Sequence, residues 1–319
     1  LKQKERGGLK MKLKLEGIIP AVVTPMKSDF SVDFVQLKDY INWIKSFDGL
    51  GGVAVNMDTG EGMHLSRNEK MKILELWVES VSGKFPVLCG LTTRYTKEAI
   101  EEAKLFQKIG ADAIVIFPIP AYAGQPLPAE IPYRYHKAIN DAVDIPLVLF
   151  QLQPALSGVF YDEKTLIKLA KIKNVVAIKE ASADAFKFVQ TLNILRNLDK
   201  RISILTGNDD FILESLILGA DGALIGFGTL AVDEQIEMFK AVKQKNFDKA
   251  FEIYSKIKPL EEVIFSPPVR DYRARVKETL RMLGVLRTNF VRPPLLPVSS
   301  KDKEKIRKAL KKLGYKKLN

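Results

Sequence analysis

Eight short apolar runs alternate with helical patterns along the chain, and this alternation limits its possible folds more than any other feature. The runs are IIPAVVT (18–24), GGVAVN (51–56), PVLCG (86–90), AIVIF (113–117), PLVLF (146–150), VVAIKE (175–180), ISILTG (202–207) and ALIGF (223–227). Few polar side chains interrupt them, as expected of strands buried on both faces. The segments between them carry helical spacing. Phe34, Leu37, Ile41 and Ile44 form one stripe, and Ile100, Ala103, Leu105 and Ile109 a second. Ser66, Thr96 and Asp162 stand where helices should start, and Gly110 and Gly219 where they should end. Strand and helix alternating eight times imply a parallel sheet covered by helices. Eight is the number that closes a (β/α)8, or TIM, barrel. An open doubly wound sheet is the alternative. It usually carries a glycine-rich phosphate loop after its first strand, and here Thr24-Pro25-Met26 follows instead.

The chain of 319 residues exceeds the roughly 250 of such a barrel. The excess is expected as a basic tail over 1–16 and a C-terminal helical extension over 231–319, with the barrel between them over 17–230. Two long helical patterns, about 232–265 and 269–285, begin the extension. Its last helix has Ile306, Leu310 and Leu313 on one stripe. The formal charge of +12 belongs to the ends. Residues 1–14 hold six basic and one acidic residue, and 301–319 hold nine and two. The rest holds 35 of each, so no basic face is indicated and no nucleic-acid partner is expected. No apolar run approaches the roughly 18 residues of a membrane helix, so no membrane partner is expected. One cysteine, Cys89, cannot form an internal disulfide, which suits a reducing compartment, here the cytoplasm.

Barrel enzymes of this kind work at the C-terminal ends of their strands. Lys179 stands there, within the apolar run Val175–Glu180. Alternation puts Val175, Ala177 and Lys179 on one face and Val176, Ile178 and Glu180 on the other. A lysine pointing into the barrel loses affinity for its proton and becomes an amine nucleophile. With a carbonyl it gives an iminium, an electron sink for making or breaking the adjacent carbon–carbon bond. A strand-end lysine paired with a carboxylate fits the same run. The turn Asp58-Thr59-Gly60-Glu61 offers a hydroxyl and backbone N–H groups, either as a small anion nest for a 2-oxo acid carboxylate or as a plain tight turn. Thr206-Gly207-Asn208-Asp209 could meet a polar substrate tail or cap the next helix, and Gly207 and Asn208 are kept as substrate contacts. Phe227, within Gly226-Phe227-Gly228, lies where some barrels hold phosphate. It is kept as a substrate contact; small residues that let a loop cross the mouth are the alternative reading. His64 and His136 are too few for the imidazole set a metal-dependent aldolase usually needs, and no metal or cofactor is expected.

Met57–Leu65 and Ala177–Ser182 resemble the dihydrodipicolinate synthase / N-acetylneuraminate lyase family of class I aldolases. The resemblance covers about residues 17–315. It includes IIPAVVTPM (18–26), the TGE turn (59–61), IKEAS (178–182) and TGNDD (206–210), with the spacings between them. It implies a homo-oligomeric barrel, dimeric or tetrameric, in which Lys179 forms a Schiff base with pyruvate or another 2-oxo acid. It also implies that Thr59 and Gly60 hold the substrate carboxylate.

Several positions depart from the family pattern. The turn has Asp58 where the family has a hydroxyl residue. The fifth strand of the family ends in Tyr-Asn-x-Pro, its tyrosine serving as general acid/base. Here Phe150-Gln151-Leu152-Gln153-Pro154 stands instead, and either Phe150 or Gln151 takes the tyrosine position. Gln151 is kept as a substrate contact. The fourth strand has Pro118-Ile119-Pro120 in place of Pro-Tyr-Tyr, with Tyr122 two residues on. Leu156 occupies the place of the arginine that meets aspartate semialdehyde. The resulting expectation is an aldolase or dehydratase acting on a 2-oxo acid, with the lysine kept and the proton relay rebuilt. Tyr122 and Asp58 lead the replacement acid/base candidates, with Tyr95 and Glu61 behind. A true 4-hydroxy-tetrahydrodipicolinate synthase and a non-catalytic 2-oxo-acid-binding paralogue are the alternatives.

Overall fold

The computed structural model describes residues 13–119, 122, 127–316 and 318. Each apolar run becomes a strand: β1 (Gly17–Pro20), β2 (Val53–Val55), β3 (Val87–Leu91), β4 (Ala113–Ile116), β5 (Leu147–Leu152), β6 (Val175–Ala181), β7 (Ser203–Thr206) and β8 (Gly222–Ile225). The strands pair in parallel in the order β1-β8-β7-β6-β5-β4-β3-β2. The two ends of that order meet. Ala21 bridges Ala54, and the Val22 N–H donates to the Ala54 carbonyl at 3.0 Å. The (β/α)8 barrel expected from the sequence is therefore the fold.

Eight helices clothe it: α1 (Phe34–Lys45), α2 (Arg67–Val81), α3 (Thr96–Ile109), α4 (Glu130–Asn140), α5 (Glu163–Ala170), α6 (Ala185–Arg196), α7 (Ile212–Ile217) and α8 (Val232–Lys243). Ser66 caps α2 in a reciprocal capping box with Glu69, and the Asp162 carboxylate caps α5. Thr96 does not cap α3. It is the first helical residue, and Tyr95 precedes it without a side-chain cap. The buried stripe of α3 is also rotated from the expected one. Ala99, Ala103 and Phe106 face the sheet, leaving Ile100, Leu105 and Ile109 less buried.

The helical pattern 232–265 is two helices. Lys245 turns left-handed at φ 58°, and Asn246 caps α9 (Phe247–Phe265). Then α10 (Tyr272–Met282) and α11 (Ser300–Lys312) follow. Among the described residues no helix is long and apolar enough to cross a membrane.

Two apolar layers hold the barrel. Ile19, Val115, Val148, Ala177, Leu205 and Leu224 fill its inside. A larger set, including Ile18, Ile114, Leu149, Ile178 and Ile204, joins the outer strand faces to the helices. Simple alternation fails at one place. The β5–β6 register shifts at Leu147/Val148, so Val175 faces outward and Val176 packs toward the inside. One extra residue in a strand resets its faces in this way. From Ala177 onward alternation holds, and Lys179 falls on the inside.

The C-terminal extension closes over the barrel mouth through buried charge. Tyr272 to Leu280 of α10 are all buried, including Arg273, Arg275, Lys277 and Glu278. Lys277 pairs with Glu61 of the β2 turn, both fully enclosed, and donates to the Phe290 carbonyl at 2.8 Å. The other Glu61 oxygen accepts the Arg292 N–H at 2.7 Å. The Arg292 guanidinium reaches Glu69 at 2.7 Å and the His64 and Phe30 carbonyls. Removing one member of such a pair strands the other charge, at about 3–5 kcal/mol. Glu61→Ala should therefore lower the unfolding free energy in urea by about that amount. Glu61→Ala combined with Lys277→Met should recover part of it.

Candidate active site

Ala177, Lys179 and Ala181 of β6 face the barrel interior, whereas Ile178 and Glu180 face the helices. The Lys179 side chain is 6% exposed. Among the described residues it has neither a hydrogen bond nor an ion pair. Its Nζ lies 4.6 Å from the centre of the Phe150 ring, on the neighbouring strand in direct register. Phe150 in turn meets Phe117 edge to face at 4.8 Å. Burial pushes the Lys179 pKa well down from the usual 10.5, and the carboxylates of Asp209 and Asp58 offset this only in part. The expectation of a lysine inside the barrel holds, and the carboxylate-paired alternative does not.

Gly207, at the end of β7, makes room for that lysine. A Cβ there would fall 2.6 Å from Lys179 Cε and 2.8 Å from Ala181 Cβ. Asp209, two residues on, accepts the Phe227 N–H at 2.7 Å on Oδ1. Burial pushes its carboxyl upward, opposed by that hydrogen bond and by Lys179. An amine pushed down beside an acid pushed up is a common arrangement at catalytic sites.

Lys179 and Asp209 share a cavity of about 140 Å³ with the turn after β2 and with α10. That is close to the roughly 150 Å³ that admits a benzene ring. Asp58, Thr59 and Tyr272 form one wall; Phe150, Leu152 and Leu156 form another. The Tyr272 hydroxyl donates to Asp58 Oδ2 at 2.9 Å and lies 3.2 Å from Thr59 Oγ1. The Asp58 Oδ1 pairs with the Arg273 guanidinium, whose Nε also donates to the Asp58 carbonyl at 3.1 Å. The turn is tight because Gly60 and Gly62 both donate to the Met57 carbonyl. The Thr24 hydroxyl braces it on the Gly60 carbonyl at 2.8 Å. Among the described residues the Asp58 and Thr59 N–H groups have no partner.

The sequence candidates divide on this geometry. Lys179, Asp58, Thr59 and Gly207 meet at the cavity. Asn208 borders it, but its amide is engaged by the Ala183 N–H, the Glu180 carboxylate and Thr206. Four expectations need correction. Gln151 does not face the cavity. It points outward, donating to Glu180 at 2.9 Å and Thr191 at 3.1 Å and accepting the Tyr161 N–H, so Phe150 takes the inward position. The Phe227 ring is fully buried against Phe265 rather than lining the cavity. Gly60 stays out of the lining because its N–H is committed within the turn. Tyr122 lines a separate cavity of about 450 Å³ with Tyr161 and Pro132, its ring 6.1 Å from Tyr135. Of the lesser candidates, Tyr95 is 53% exposed, and Glu61 points away to Lys277. His136 is buried within α4, one ring nitrogen 2.7 Å from the Pro132 carbonyl.

Sequence reasoning missed Tyr272 and read Asp209 only as part of a run that meets a substrate tail or caps a helix. The signal for Tyr272 was indirect: YRARVKE (272–278) is too charged for a segment buried throughout unless the charges meet partners. Nothing in TGNDD marked which carboxyl would be buried on the cavity with Lys179.

Residues 14–313 match the Dihydrodipicolinate synthetase family. An "Uncharacterized DapA-like lyase" of Thermofilum pendens is 27% identical over 310 residues, covering 96% of this chain and 100% of that one. A 4-hydroxy-tetrahydrodipicolinate synthase of Phocaeicola vulgatus is 32% identical over 304 residues, 95% of this chain and 98% of the other. Among solved structures, the dihydrodipicolinate synthase of Acinetobacter baumannii complexed with pyruvate superposes with a TM-score of 0.84. It is 29% identical, covering 94% of this chain and 99% of that one.

Two measurements check the geometry around Lys179. An amine-selective reagent should label Lys179 increasingly as pH rises, with a midpoint well below the ordinary 10.5, because only the neutral amine reacts. Gly207→Ala should displace the lysine stem, whose Cε a Cβ there would meet at 2.6 Å, and so move that labelling midpoint away from the wild-type value.

Proposed function

The chain belongs to the dihydrodipicolinate synthetase family, whose members are Schiff-base-forming lyases, and from that premise we propose that it condenses pyruvate or another 2-oxo acid on Lys179. The observation that carries the proposal is the isolation of the Lys179 amine. It is buried, unpaired among the described residues and open to a cavity sized for a small acid. The neutral amine adds to the keto carbon, and loss of water leaves an iminium. The iminium withdraws electrons from the adjacent carbon, so a carbon–carbon or carbon–oxygen bond there can form or break. The Thr59 hydroxyl and the N–H groups of Asp58 and Thr59 are the polar groups of the turn best placed to meet the acid's carboxylate.

The partner or leaving group is, in this reading, uncharged or weakly charged. Leu156 presents an apolar side chain where the family pattern has an arginine. Arg273 is already paired with Asp58, and Asp209 and Asp210 add acid to the wall. A second carboxylate would gain no cation there. A second reading, 4-hydroxy-tetrahydrodipicolinate synthase, is favoured by the names of relatives 30–32% identical. Condensation of pyruvate with aspartate semialdehyde discriminates the two. We expect it to run at least about tenfold slower than with an uncharged aldehyde, in line with a lost charged contact of about 1.5–3 kcal/mol. The same proposal has the protein in the cytoplasm as a homodimer or homotetramer, and light scattering on the purified protein checks the oligomeric state.

Borohydride added with pyruvate should fix one reduced pyruvate unit on the peptide containing Val175–Phe186, at Lys179. Lys179→Arg should abolish it. An unmodified wild-type protein would overturn the proposal. Trapping without turnover of any 2-oxo acid would instead support the non-catalytic paralogue.

A further inference from the structure

A Schiff-base site needs a group that carries protons to and from the carbonyl oxygen, and β5 supplies none. Phe150 occupies the inward position beside Lys179, and its ring has no exchangeable proton. Tyr122 lies in another cavity. Among the tyrosines, Tyr272 alone borders the Lys179 cavity. It comes from α10, at the opposite wall.

We propose that Tyr272 is the general acid/base of this site, joined through Thr59 and Asp58 in a relay anchored by Arg273. This inference rests on the Schiff-base reading of Lys179. The hydroxyl of Tyr272 sits within hydrogen-bond reach of both Asp58 Oδ2 (2.9 Å) and Thr59 Oγ1 (3.2 Å). Its ring is clamped, stacked on Phe265 at 5.1 Å and 24°. Gly226 permits the approach. A Cβ at that position would lie 3.0 Å from Tyr272 Cε2 and 2.9 Å from Thr59 Oγ1. The Arg273 guanidinium lies 5.3 Å from the tyrosine ring and holds Asp58 by its other oxygen. The groups facing the phenol are thus Asp58 and Thr59 from the β2 turn and Arg273 from its own helix. Asp209 beyond β7 and Lys179 of β6 face it across the cavity. Burial and the Asp58 charge keep the phenol protonated at neutral pH, so it meets the substrate as an acid.

The proton bookkeeping closes. The Lys179 lone pair attacks the keto carbon, and the carbonyl π pair moves to oxygen, which takes the Tyr272 proton. The new ammonium returns one proton to the phenolate, giving a neutral carbinolamine. A second proton, drawn from solvent through Tyr272, lets the hydroxyl leave as water while the nitrogen pair forms the iminium. One amine, one ketone and one proton become one iminium and one water. A phenol that only braced Asp58 would act through the Lys179 ionisation, so its loss would move the pH midpoint of the rate and leave the rate above that midpoint untouched.

The test is time-resolved borohydride quenching of the full chain with pyruvate. Tyr272→Phe keeps the stack on Phe265 and removes only the hydroxyl. We expect iminium formation to slow by about 100-fold or more, the usual worth of a positioned acid/base. The final trapped fraction should be unchanged, because a catalyst of the step does not alter its equilibrium. Iminium formation at the wild-type rate in Tyr272→Phe overturns the assignment. Should that variant fail to fold, 3,5-difluorotyrosine placed at position 272 retains the shape and makes the phenol more acidic. The alkaline limb of the rate profile should then move to lower pH, and an unmoved limb overturns the assignment. Wild-type protein that never traps pyruvate overturns the Schiff-base reading itself, an outcome distinct from equal rates in wild type and variant.

Discussion

Everything in this molecule turns on one ammonium group that has lost its water. At the end of β6 the backbone is fixed by pairing on both sides, so the Lys179 side chain cannot swing out to solvent. Its surroundings are an aromatic face, a glycine and a buried acid whose pKa is pushed upward, none of which replaces a full hydration shell. Asp58, on the same cavity, is already paired with Arg273. The amine is left reactive because the competing pair is already made.

That pairing explains why the C-terminal extension carries so much buried charge. Residues 272, 273 and 277 of α10 all bond to the turn after β2, through Asp58, Thr59 and Glu61. Buried ion pairs add little net stability over apolar packing, but they penalise misplacement strongly. Here they fix one helix against one turn to within hydrogen-bond distance, which a greasy contact between the same elements would not do. The barrel supplies the amine, and the helix supplies the orientation of the opposite wall.

The fold was legible in the sequence because burial on two faces leaves a composition signature. Eight apolar runs and their spacing gave strands within a few residues of those observed. Lys179 was legible for a related reason: a charge inside such a run is conspicuous. What stayed hidden depends on contacts between distant segments. Strand alternation alone could not decide between Phe150 and Gln151, since both sit in the same short run and the register was ambiguous. The shift at Leu147/Val148 has no local mark either. Tyr272 was invisible for the strongest version of this reason, because its partners lie 213 and 214 positions away. The rotated stripe of α3 shows the same limit on a smaller scale, where Ala99, Ala103 and Phe106 rather than Ile100, Leu105 and Ile109 take the buried positions.

The distance of α10 from the turn it completes has a consequence for synthesis. A ribosome delivers the lysine strand and all eight staves of the cylinder before it delivers the helix that anchors Asp58. Until then Asp58 lacks the guanidinium and the phenol that hold it, so a chain cut before residue 272 keeps the lysine strand whole and loses the anchor of the wall opposite.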